Sequence, residues 1–124
     1  MSFDWKNYLD LAEKFQKISS GKAGGYVEGI KRTVISRAYY AGFHEAEDYA
    51  TSSGYVKPTR GHHQLIQTWY RKQFGNVNHQ EIQQILARSL KARKEADYDG
   101  VINGNLDNQM ESIILDIKRI KQLI

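Results

Sequence analysis

The chain contains no cysteine, which excludes disulfides, a thiol nucleophile and thiolate-ligated metals. It has one proline, Pro58, so long helices elsewhere go uninterrupted by that residue. No window approaches the roughly 20 consecutive apolar residues that span a bilayer. The first residues, Met1 to Tyr8, lack the basic segment and apolar run of a signal peptide. A soluble, cytoplasmic protein without membrane contact is the expectation. Also missing are a phosphate loop ending in Gly-Lys-Ser or Gly-Lys-Thr, a His-Glu-x-x-His pair and any zinc spacing. Gly21 to Gly25 is too short a run for a dinucleotide fingerprint. The residues therefore point to no cofactor and no metal. Nor is there an internal repeat, a low-complexity run or an alternating segment long enough for a sheet.

What remains is a chain of 124 residues, 40% apolar and 26% charged, which is the composition of one ordinary globular domain spanning 1-124. The net charge of +4 tilts partners toward nucleic acid or an acidic protein.

Helical periodicity accounts for most of it. Trp5, Tyr8, Leu9, Ala12, Phe15 and Ile18 recur at three- and four-residue steps, which predicts an amphipathic helix over 4–19. A glycine-rich break follows, then a long helix from about Tyr26 to Ser52. On that helix Ile30, Val34, Ala38, Ala41 and Glu45 form one line, and Ile35, Tyr39, Gly42, Ala46 and Tyr49 another. Apolar or small residues on two sides make it the central element, packed by neighbours on both. Residues 53–61 read as a loop whose Lys57, Arg60 and Tyr55 could touch a ligand. A third helix is expected over 62–74, packing through Leu65, Ile66, Trp69 and Tyr70. Asn78, with Glu81 three residues on, has the capping-box spacing for a fourth. Ile82, Ile85, Leu86 and Leu90 turn inward on it, and residues 97–106 read as a turn-rich connection. A fifth helix over 107–124 carries Met110, Ile113, Ile114, Ile117, Ile120 and Ile124 in register. The sum is an all-α bundle of five helices.

Within the central helix, Arg37, Tyr40 and His44 fall within roughly 60° of one another, on one face of a helix that otherwise looks buried. Polar groups there must be partnered in a network or serve a site. His62 and His63 open the third helix, but adjacent helical side chains diverge by about 100°, which disfavours a shared metal ion. His79 reads as a surface residue. Arg93 and Asp97, four apart, form either an intrahelical ion pair or, with Tyr98, a phosphate-binding and proton-transfer group.

The segments Ser36-Arg-Ala-Tyr-Tyr-Ala-Gly-Phe-His44, His62 leading Leu65-Ile66, and Arg93-Lys-Glu-Ala-Asp-Tyr-Asp99 together resemble the small stand-alone branch of the HEPN (higher eukaryotes and prokaryotes nucleotide-binding) superfamily. The likeness covers residues 26–99 in the family's order. It implies an antiparallel bundle that dimerises, often beside a nucleotidyltransferase antitoxin in toxin–antitoxin or defence modules. It also implies action on RNA, in many members as a metal-independent endoribonuclease with an Arg and a His four to six residues apart. Here Arg93 matches the motif Arg and Tyr98 stands where a four-residue spacing places the His. The resemblance thus puts Arg93, Asp97 and Tyr98 in a catalytic group with His44, and Arg37, Tyr40, His62 and Lys94 on the substrate. A non-catalytic module that binds a nucleotide, RNA or the nucleotidyltransferase is the alternative. A purely structural bundle is the third reading.

Overall fold

The computed structural model describes residues 5–22, 24–73, 75–100 and 104–124. It is built of α1 (Lys6–Ser19), α2 (Gly25–Ser52), α3 (His62–Arg71), α4 (Val77–Tyr98) and α5 (Leu106–Leu123), with no strand among the described residues. Of the expected first and third helices, Asp4 and Phe74 lie outside the described residues. Among the described residues no helix is long and apolar enough to cross a membrane.

The all-α expectation holds, and α2 is the hub, touching α1, α5, α4 and α3. Its two lines of small and apolar residues explain why. Val34, Ile35, Ala38, Tyr39 and Ala46 are fully buried, alongside Ile82, Ile85 and Leu86 of α4 and Met110, Ile117 and Ile120 of α5. The buried phenol of Tyr70 is anchored: its hydroxyl donates to the Ala46 carbonyl at 2.6 Å.

At Gly42, α2 and α5 come together with no room for a side chain. A Cβ added there would run into Cδ1 of the fully buried Ile117 on α5. Gly42→Ala gains about 1 kcal/mol of helix propensity but overpacks this contact at a cost of about 1–3 kcal/mol. We expect a net loss of about 1 kcal/mol, from the same principles. Because valine lacks the offending Cδ1 but keeps the carbons at 3.1 and 3.3 Å, Gly42→Ala placed on an Ile117→Val background should cost clearly less in urea unfolding than it does alone. An equal loss on both backgrounds would refute the contact as the cause.

Four expectations need correction. The cap of α4 is Asn76, whose Oδ1 accepts from the backbone N–H of His79 at 3.0 Å. Asn78 lies inside the helix, and Glu81 is drawn off to Arg119 of α5 at 2.7 Å instead of turning back to a cap. His79 is buried, 7% exposed, because the earlier start of α4 turns its ring onto Tyr49, Trp69 and Tyr70. Leu65, Ile18 and Ile124 face outward at 45%, 58% and 41%, with Ser19 taking the buried place beside Ile18 and Leu123, the last residue of α5, taking the one expected for Ile124. Finally, α4 runs on to Tyr98 into the segment read as a connection. Arg32 of α2 supports that extension: its guanidinium donates to the carbonyls of Glu95, Ala96, Asp99 and Gly100, in the last turn and just past it, where free carbonyls need partners.

Candidate functional site

The polar face of α2 is split between two neighbours. Arg37 turns over the ring of Tyr8 on α1, 4.8 Å from its centroid. Tyr40 and His44 stay together, with ring centroids 6.3 Å apart. Trp5, just before α1, stacks on His44 at 3.5 Å and 11°. One turn further, Glu47 completes this face.

Between α2, the 53–61 loop and the start of α3 lies a cleft of about 550 Å3, with Tyr40 and Phe43 on one wall, His62 and His63 on another, and Lys57 and Lys94 on its rim. Gly61, in the left-handed region at φ 72°, turns the chain so that both histidines enter this cleft from the first turn of α3. At its base the Glu47 carboxylate is 4% exposed and faces three groups able to carry positive charge. Nδ1 of His62 is 3.4 Å from one oxygen. Nζ of Lys57 and Nδ1 of His44 stand 3.6 and 3.8 Å from the other. A carboxylate this buried is sustained only by such partners.

The hydrogen bonds set the two α3 histidines in opposite states. In neutral His62, Nδ1–H points at Glu47, so Nε2 keeps its lone pair toward the cleft. Nδ1 of His63 lies 2.6 Å from the Tyr39 hydroxyl. Burial pushes the Tyr39 pKa well up and keeps the phenol protonated; with that proton given to Nδ1, the neutral His63 ring carries its own on Nε2. Burial first, then the nearby Arg93, holds His63 below the ordinary imidazole value. His44 is also lowered, chiefly by burial, against the opposing pull of Glu47. The cleft thus sets a lone-pair acceptor beside a neutral N–H donor, with two lysines on its rim.

Arg93 sits behind the cleft. Its Nη2 donates to the Tyr40 hydroxyl at 2.6 Å, and Nε lies 2.8 Å from Asp97 Oδ2 with its N–H off the line between them, an ionic contact more than a hydrogen bond. The guanidinium also lies over the rings of Tyr40 and Tyr98, at 5.1 and 5.5 Å. With 14% of its side chain exposed, Arg93 is committed to this network. Asp97 also accepts from Ser36, and Tyr98 is 72% exposed.

Of the residues singled out from the sequence, the cleft gathers Tyr40, His44, His62 and Lys94. Arg93, Asp97 and Tyr98 form an adjoining group joined to it through Tyr40, and Arg37 of α2 stands apart, turned against Tyr8 of α1. Glu47 and His63 are site residues that sequence reasoning missed, and Lys57 was visible only as a loop cation. Among the described residues no group of three or more His, Asp or Glu side chains is placed to hold a metal ion. Glu47, His44 and His62 converge, but the ammonium of Lys57 competes for the same carboxylate. Compared with protein-family models, curated proteins and solved structures, the chain gives no match.

Proposed function

We propose that this is a HEPN-like protein acting on RNA in the cytoplasm as a toxin or defence factor, and that its reaction is metal-independent strand cleavage in the α2–α3 cleft. The observation that carries the reading is the His62–Glu47 pair opposite Lys57, in a cleft that also presents the Nε2–H of His63. Cleavage of RNA without a metal needs a base for the 2′-hydroxyl, positive charge for the phosphorane oxygens and a proton for the leaving 5′-oxygen. Nε2 of His62 takes the 2′-hydroxyl proton as the oxygen attacks phosphorus. Lys57 and Lys94 stabilise the charge that builds there. The proton for the departing 5′-oxygen comes from the Lys94 ammonium, because a neutral imidazole is too weak an acid to release Nε2–H; His63 hydrogen-bonds a phosphate oxygen through that N–H and keeps its proton, and the products are a 2′,3′-cyclic phosphate and a free 5′-hydroxyl. In this reading the cleft histidines serve in place of the motif histidine that Tyr98 replaces, and Arg93 braces Tyr40 at the cleft wall. The resemblance further suggests a homodimer and a nucleotidyltransferase partner.

One observation favours a second reading, a non-catalytic module binding RNA, a nucleotide or that partner: the motif Arg is already paired within its own chain. The two separate in one experiment. Incubated with RNA in EDTA, the wild-type protein is expected to give fragments ending in 2′,3′-cyclic phosphate, and Lys57→Ala to slow their appearance by less than the roughly 100-fold that loss of a water-excluded charge-stabilising group costs, because this lysine is half exposed. Binding without any cleavage would leave only the module.

A further inference from the structure

The cleft does not end at Lys94. A second hollow of about 400 Å3 lies along α3 and α4, and Gln64 and Lys94 line both. The two therefore make one groove, from Glu47 and Lys57 at one end to Tyr98 at the other. Lys57, Lys94 and Lys91 follow its length, and Lys91 and Lys94 are exposed cations. The ring of Tyr98 is 72% exposed, with the Arg93 guanidinium held near it. Glu95 and Asp99 border the groove only at this far end.

From this arrangement we infer that the groove is a track for single-stranded RNA, in which lysines follow the phosphates and Tyr98 stacks an unpaired base. The inference rests on the RNA reading above and adds the form of RNA and the path of the strand. Spaced cations along a groove are what a phosphate backbone requires, and an exposed aromatic ring offers a stacking face for any base. The arginine behind Tyr98 adds a cationic contact beside the stacked pair. The acids at that end repel a phosphate but accept from base amino groups, which suits a position where the base and not the backbone is held. A duplex keeps its bases stacked on one another and cannot offer one to Tyr98.

The test uses a fluorescein-labelled single strand of about ten nucleotides, 2′-O-methylated throughout so that it cannot be cleaved, and the same strand in a duplex. Fluorescence anisotropy should show tighter binding of the single strand. Tyr98→Ala should weaken it about 10-fold and Tyr98→Phe less than about twofold, since the ring supplies the stacking. Lys91→Ala should lower the slope of log affinity against log salt by about 0.7, the release expected for one phosphate contact on a single strand. The track is overturned if the duplex binds as tightly, if Tyr98→Ala binds like wild type, or if Tyr98→Phe is as weak as Tyr98→Ala. Should RNA cleavage depend on His62 while the Tyr98 and Lys91 variants bind normally, the track alone falls. If wild type neither binds nor cleaves RNA of any form, the RNA reading falls and the track with it.

Discussion

His62→Ala is expected to slow RNA cleavage at least about 100-fold, the lower range for loss of a positioned general base, while leaving the fold intact. The side chain is 40% exposed and sits in the first turn of α3, so its removal opens no core cavity. Its partner Glu47 has a different role. The carboxylate is too buried to reach a substrate and acts through the imidazole, keeping the proton on Nδ1 and the lone pair on Nε2. Glu47→Gln should therefore lower the rate by less than His62→Ala does. It also removes the counter-charge of Lys57, so KM should shift with that lysine's freedom while kcat drops. In the double variant the losses should not add, because without His62 there is nothing left for Glu47 to orient. Cleavage by His62→Ala at the wild-type rate would remove the base from the mechanism. Fully additive losses would separate Glu47 from His62.

The sequence made the helices visible and left the cleft largely hidden, for a physical reason. A helix writes its buried face into the chain every three or four residues, so α2 and α5 could be recognised from Val34, Ile35 and Ala38 or from Ile113, Ile117 and Ile120. Ends are weaker signals. Asn76 and Asn78 are equally good caps, and the choice between them depended on Glu81 finding Arg119 on another helix. The cleft is non-local throughout: Glu47 meets Lys57 across a loop and His62 fifteen positions on, and no spacing rule links them. Glu47 did carry one faint signal, as a charged residue directly after the buried Ala46. His63 was weighed only as half of a metal pair with His62, a pair disfavoured because the two diverge on the helix, whereas His62 kept a place on the substrate. That divergence is what lets one ring face Glu47 and the other Tyr39, so the geometry that argued against a shared metal ion argues for two different roles.

Arg93→Ala should cost about 2–3 kcal/mol in urea unfolding, because one charge-assisted hydrogen bond, one ion pair and the cation's placement over two rings all vanish with the guanidinium. The cost falls on the wall of the cleft, because the Tyr40 hydroxyl loses its donor and Asp97 keeps only Ser36. A double-mutant cycle with Tyr40→Phe isolates the first of these and should return a coupling of about 1 kcal/mol. Spacing alone left Arg93 open to two roles, and the cycle decides between them. If Arg93 braces the wall, its replacement lowers stability and leaves the salt dependence of RNA binding unchanged, since it touches no phosphate. Lys94→Ala, on the rim, should do the reverse: stability stays and the slope falls by about 0.7. An Arg93→Ala protein as stable as wild type but with a shallower salt slope would return Arg93 to the substrate. The motif arginine of the resemblance would then work here as the family likeness implies, in spite of the four groups that surround it.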